Sequence, residues 1–257
     1  MPEPEADAAL VGDLLARDRR DGSPALHAAA PDRTISYRDL CTTAYKVGNV
    51  LSHHGVRAGD RVAVEPLPLP EPVLTFLGAA MLGAVTEFRA EPGTDARAAV
   101  VHADREDEFD LPPGSRLVAF GGAPERATTT HWEGEVWSEN PAFPPTDVEP
   151  TDPVLAAEDD GGVEQFSHRD LLVVARDAVE RLELDGGSNL ALHASLADPY
   201  AVAAGVLAPL LVGGCICLPD EDGNEPSATA AITDGRPVAD DRPTSERRVL
   251  QLDSLRP

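Results

Sequence analysis

Apolar residues recur at helical spacing along residues 37–54, so that one face of this stretch is apolar and the other polar. Ser36 precedes the stretch and Asp39 follows three positions later, a capping-box-like pair with a short acidic side chain in place of Glu or Gln. Gly55 can adopt the left-handed conformation that closes helices, and the apolar Val56 follows it. This pattern predicts a helix from about Tyr37 to His54.

The next apolar runs alternate between strand and helix patterns. Residues 62–64 read Val-Ala-Val and predict a short buried strand. Residues 73–81 have helical spacing and end at Gly83, after which Ala84 and Val85 begin another strand. Helix, strand, helix and strand in this order predict an α/β fold with a mostly parallel sheet layered with helices.

The remaining apolar runs are shorter and extend the same alternation. Further strands are predicted at 98–101, 117–120, 152–157, 189–194 and 215–218, and an extended piece at 24–27. Further helices are predicted around residues 9–17, from Ser167 to the turn at 185–187, and up to about Val212. His131, Trp132 and Trp137 are expected to anchor a proline-rich loop to the body of the protein.

These elements suggest four consecutive segments. They are an acidic edge segment at 1–30, a first α/β subdomain at 31–150, a second at 151–219 and an acidic segment at 220–257 with short apolar runs at 228–232 and 249–255.

The excess of acidic over basic side chains limits the kinds of partner that the protein is expected to bind. The 257 residues hold 45 acidic and 21 basic side chains, a formal net charge of −24, and Lys46 is the only lysine. So many carboxylates repel one another in dilute buffer, but molar salt shortens the screening length to about 3 Å. The composition therefore indicates a salt-rich cytoplasm, such as that of a halophilic archaeon. It argues against binding to nucleic acid or to a membrane, since both need a basic face.

Neither the cysteines nor the longest uncharged run suggests a metal site or a membrane span. Cys41, Cys215 and Cys217 lack ligand-like spacing, and the last two are expected to point to one face of a strand as buried core residues. Residues 199–219 are long enough to span a membrane, but Pro209 and the Gly-Gly pair at 213–214 favour a buried helix followed by a strand. With no apolar signal segment, a cytoplasmic protein is expected.

Several stretches, taken in order, resemble the AMP-forming acyl-CoA synthetases of the adenylate-forming (AMP-binding) superfamily. They are RTISYRDL, GVRAGDRVAV, PEPVLTFLGAAMLGAV, FPPTDVEPTDPVLAA, FSHRDLL and PLLVGGCICLPD, and they span roughly residues 33–219. The resemblance implies the N-terminal part of the large domain of these enzymes. It also implies a helix between strands comparable to 98–101 and 117–120, which this chain lacks.

In that family a Gly-, Ser- and Thr-rich loop with a lysine cradles the phosphates of ATP through backbone N–H groups and hydroxyls. The corresponding residues 158–163 read Glu-Asp-Asp-Gly-Gly-Val, so only the two glycines remain. The resemblance makes these positions a remnant of the phosphate site, together with the start of the next helix: Asp159, Asp160, Gly161, Gly162, Ser167 and His168. A solvated acidic turn, with Ser167 as a helix cap and His168 as packing, is the alternative interpretation.

The family's acyl pocket receives a His and an aromatic-Gly pair from the turn after the strand at 189–194. Here Asp198 and Tyr200 occupy that turn, so they are the pocket remnant, and neither the His nor the Gly is kept. The family's later motifs, among them the acidic metal and adenine motif, the ribose-binding Asp and the catalytic lysine of the small C-terminal domain, have no counterpart. No catalytic residue and no metal ligand is assigned.

Three functions follow from this resemblance. The first is a truncated homologue of AMP-dependent acyl-CoA synthetase that lacks adenylation activity and acts as a binding or regulatory partner of a protein or in a homo-oligomer. The second is half of an ATP-dependent acyl-CoA ligase, completed by another polypeptide. The third is a non-catalytic binder of an acyl group or a cofactor. No cofactor is expected under the first, whereas ATP with Mg²⁺ and CoA belong to the second.

Overall fold

The computed structural model describes residues 8–159, 162–220, 222–224, 227–235 and 247–256. They form two compact units, one from residues 1–41, 68–70 and 168–257 and the other from residues 42–67 and 71–167. Each unit is built on its own largely parallel sheet layered with helices, which confirms the α/β fold. Because the units take alternating pieces of the chain, they differ from the four consecutive segments suggested above.

The first unit contains a six-stranded sheet in the order β13-β12-β10-β11-β1-β2. All neighbours are parallel except β1 and β2, which are antiparallel. Its strands are β1 (Pro24–Ala28), β2 (Arg33–Ser36), β10 (Asn189–His193), β11 (Cys215–Leu218), β12 (Ala230–Thr233) and β13 (Arg248–Gln251). β1 lies inside the sheet between β11 and β2, so residues 24–28 are not an edge segment, and the acidic C-terminal segment supplies two strands.

The second unit contains a seven-stranded sheet in the order β7-β6-β5-β3-β4-β8-β9. Only the β8–β9 pair is antiparallel. Its strands are β3 (Arg61–Val64), β4 (Val85–Glu87), β5 (Ala98–His102), β6 (Arg116–Phe120), β7 (Thr130–His131), β8 (Pro153–Asp159) and β9 (Gly162–Ser167). The parallel pairing of β3 with β4 confirms the α/β unit predicted from residues 37–85.

Most of the helices lie where the apolar patterns predict them. They are α1 (Tyr37–His53), α2 (Pro70–Leu82), α3 (Trp132–Ser138), α4 (His168–Arg181), and a continuous helical run made of α5 (Pro199–Ala201), a π-helical turn (Val202–Leu207) and α6 (Ala208–Val212). Short 3₁₀ turns lie at Val11–Leu15, Arg17–Arg19, Ala103–Glu108 and Leu252–Ser254. The expected helix at 9–17 is therefore two 3₁₀ turns. Among the described residues no helix is long and apolar enough to cross a membrane.

The ends of α1 form as the sequence indicates. The Asp39 N–H donates to the Ser36 hydroxyl at 3.1 Å, and that hydroxyl donates to the Asp39 carboxylate at 2.8 Å. At the other end Gly55 has φ +86°, and the Val56 N–H donates to the Leu51 carbonyl at 3.0 Å. This is the Schellman closure expected for a left-handed glycine.

A loop covers one face of the seven-stranded sheet where relatives are expected to place a helix. Between β5 and β6 the described chain makes a 3₁₀ turn and then inserts Phe109, which is 1% exposed. The ring belongs to a cluster of small and medium apolar residues: Ala63, Ala90, Ala96, Ala99, Val101, Leu117 and the partly buried Leu111. The ring of Phe109 thus covers this alanine-rich face in place of the side chains of a helix.

The two tryptophans of the proline-rich loop behave differently from each other. Trp132 is 5% exposed, and its indole N–H donates to Thr75 Oγ1 at 3.1 Å, so it anchors this region as predicted. Trp137 is 87% exposed, so its prediction as an anchor was wrong. The reason is the short helix α3, which was not predicted and which places the two rings on different faces.

Candidate functional site

The stretch predicted as a remnant of the phosphate site lies in a β-hairpin. Strands β8 and β9 pair from Pro153 opposite Ser167 to Asp159 opposite Gly162, with one register shift between Pro153 and Leu155, which leaves two residues between the last pair. Asp160 and Gly161, and the side chain of Asp159, lie outside what the structure describes. Gly162 has φ +118°, and no heavy atom lies within 4 Å of where its Cβ would be. The described part of this stretch is therefore committed to sheet pairing.

One charge on this hairpin, that of Glu158, is paired within the same unit. The guanidinium of Arg89 pairs with the carboxylate of Glu158 and also donates to Glu91 at 2.8 Å. The hydrogen bonds that Arg89 donates to Glu91 raise the pKa of Arg89 above its usual value. A phosphate approaching Glu158 would have to compete with that carboxylate for the arginine.

Ser167 and His168 mark the passage from β9 to α4. Ser167 is the last residue of the strand, and His168 is the first residue of the helix and is fully buried. The Nδ1 atom of His168 accepts the main-chain N–H of Val11 at 3.1 Å. This hydrogen bond links the first 3₁₀ turn to α4, so the imidazole has a structural role.

The two residues predicted as a remnant of the acyl pocket lie at the start of the helical run 199–212. Asp198 is its N-cap and accepts the Tyr200 N–H at 2.9 Å, with Pro199 at the first helical position. Arg256 then donates to the Asp198 carboxylate at 2.6 Å, and its guanidinium carbon lies 5.1 Å from the centre of the Tyr200 ring. The guanidinium of Arg256 therefore contacts both residues that the resemblance assigns to the acyl pocket.

Other polar groups near the ends of parallel strands were not singled out from the sequence. His193 ends β10 and is opposite Thr233, the last residue of β12, at the carboxyl edge where α/β folds bind ligands. Nη2 of Arg247 lies 3.3 Å from Nε2 of His193. Arg256 follows Asp198 by 58 positions, and Arg247 follows His193 by 54. No local spacing signal could have linked residues so far apart.

The cysteines are core residues rather than ligands. Cys215 and Cys217 pack with Ala191 and Ala231 in one buried cluster. A hydrogen bond with the Cys217 side chain lowers the pKa of Cys215, whereas burial raises the pKa of Cys41 to about 11. Within the described ranges no three His, Cys, Asp or Glu side chains are grouped so as to hold a metal ion.

The expected site residues thus fall into separate groups. Asp198 and Tyr200 are brought together with Arg256 in the first unit, and His168 lies at a different helix start in that unit. The hairpin and Ser167 belong to the second unit. Each group satisfies its polar atoms mainly with neighbours from its own unit.

Comparison with known proteins relates part of this chain to AMP-binding enzymes and to acetyl-coenzyme A synthetases. Residues 16–109 match the family model described as AMP-binding enzyme. A stretch of 54 residues is 41% identical to acetyl-coenzyme A synthetase of Brucella canis and covers 21% of this chain and 8% of that protein. The same figures hold for acetyl-coenzyme A synthetase of Brucella suis.

The solved structures extend the likeness to most of the fold. The anthranilate CoA ligase AuaEII in complex with anthranoyl-AMP superimposes with a TM-score of 0.73 at 20% identity, over 91% of this chain and 50% of that one. Apo MatB from Rhodopseudomonas palustris gives 0.68 at 18% identity, over 87% and 49%. The chain therefore spans about half the length of these two proteins. Its two sheets have the fold of the N-terminal domain of adenylate-forming enzymes.

Proposed function

We propose that this chain is a relative of the acyl-CoA synthetases that does not adenylate carboxylic acids and acts instead as a binding partner of another protein. The observation that carries the proposal is the β8–β9 hairpin. Its pairing continues to Asp159 opposite Gly162, so the strands occupy the positions at which the resemblance places a phosphate-binding loop. Residues 158–163 also contain no Ser, Thr or Lys to contact a phosphate.

Electrostatic repulsion also opposes the binding of a phosphate at this hairpin. A carboxylate about 4 Å from a phosphate oxygen costs up to roughly 4 kcal/mol at an effective dielectric of 20, before salt reduces it. Within residues 158–163, Glu158 is the carboxylate whose side chain the structure describes, and its arginine partner is already engaged. A Mg²⁺ ion could bridge a carboxylate to phosphate, which is the strongest objection. Such a bridge would still lack the hydroxyls and the lysine.

A direct test measures the reaction itself. The purified chain in molar KCl is incubated with ATP, Mg²⁺, CoA and acetate, propionate or a longer acid, and pyrophosphate release is followed beside an active acetyl-CoA synthetase as a control. We expect no release above the acid-free background. Pyrophosphate that depends on the carboxylic acid would overturn the proposal.

ATP binding can be tested separately from turnover. Calorimetric titration with Mg-ATP in the same buffer should give no saturable heat, and replacing both Asp159 and Asp160 with Ser should not create any, because the lysine is still absent. A dissociation constant below about 1 mM, equivalent to roughly −4 kcal/mol, would contradict this expectation.

A second candidate is half of an acyl-CoA ligase completed by another polypeptide. It is favoured by the superposition of 91% of the chain on one half of a CoA ligase. Mixing the chain with a separately produced polypeptide that carries the later family motifs distinguishes the two functions. Acid-dependent pyrophosphate release that needs both components would favour the half-enzyme.

A further inference from the structure

We draw no further inference here: the strongest candidate, the outer edge of strand β9 at the end of the seven-stranded sheet, where the side chain of Val163 is exposed, carries none because nothing in the described part of the structure shows what covers it.

Discussion

Glu106 is the buried carboxylate whose removal should have the largest effect on the second unit. It is 3% exposed and accepts the main-chain N–H groups of Glu125 at 2.6 Å and Arg126 at 3.1 Å. The Arg126 side chain donates to it at 3.2 Å. These contacts fix the loop that leads into β7 and α3.

The cost of Glu106→Gln follows from what the substitution leaves behind. The amide keeps one acceptor oxygen but places an NH₂ group against donors, so at least one buried N–H loses its partner, at about 1–3 kcal/mol. The lost attraction to Arg126 adds little, because that side chain is 37% exposed and solvent screens the pair. We therefore expect a loss of about 2–3 kcal/mol, or roughly 4–12 °C in melting temperature for a protein of this size.

The pH dependence gives an independent check. Burial by itself raises the pKa of Glu106, but the hydrogen bonds from Thr129, the two main-chain N–H groups and Arg126 outweigh it and hold the pKa below its usual value. A depressed folded-state pKa stabilises the protein above the unfolded-state pKa of about 4.3, and this stability is lost as pH falls through the folded-state value. The difference between the unaltered chain and Glu106→Gln should therefore shrink below about pH 4.

The assay is urea unfolding at constant KCl, read by circular dichroism from pH 7 to pH 3. The matched control is Glu108→Gln, which removes a carboxylate two positions away that is 48% exposed and pairs with Arg105. The control should lose less than about 1 kcal/mol. If both variants lose equal stability, or if the loss in Glu106→Gln is the same at every pH, the role given to Glu106 is wrong.

Two further predictions concern salt and the helix cap at Asp198. Lowering KCl from molar to about 0.1 M lengthens the screening distance to roughly 10 Å and should lower the melting temperature, because the excess carboxylates then repel; an unchanged melt would contradict adaptation to salt. Asp198→Ala should cost about 1 kcal/mol through loss of the N-cap, whereas Asp198→Asn should cost less than half of that, since asparagine still caps and the pair with the half-exposed Arg256 contributes little. Equal losses in urea unfolding would assign the effect to the ion pair instead of the cap.

Most of the secondary structure can be predicted from local signals in the amino-acid sequence. Residues 37–85 carry their helix caps and apolar periodicity within short windows, so α1, β3, α2 and β4 form where those signals predict. The same holds for the helix-to-strand passage at 212–215, where Gly213 has φ +78°. Helix α4, however, ends at Arg181 and not at the predicted turn 185–187, because Glu183 adopts the left-handed conformation (φ +46°) and the Leu184 N–H donates to the Val179 carbonyl. The lack of Ser, Thr and Lys at 158–163, on which the proposed function draws, is also visible in the residue types alone.

Tertiary packing, which local sequence patterns do not reveal, sets which strands form each sheet and which distant side chains come into contact. The apolar runs at 24–28, 230–233 and 248–251 are too short to reveal that they belong to one sheet, since parallel pairing joins distant segments. Arg256 reaches Asp198 across 58 positions, and Glu106 accepts N–H groups from a loop 19 and 20 residues away. The contrast between the buried Trp132 and the exposed Trp137 depends on a seven-residue helix whose position is set by packing, because so short a helix is not stable by propensity alone.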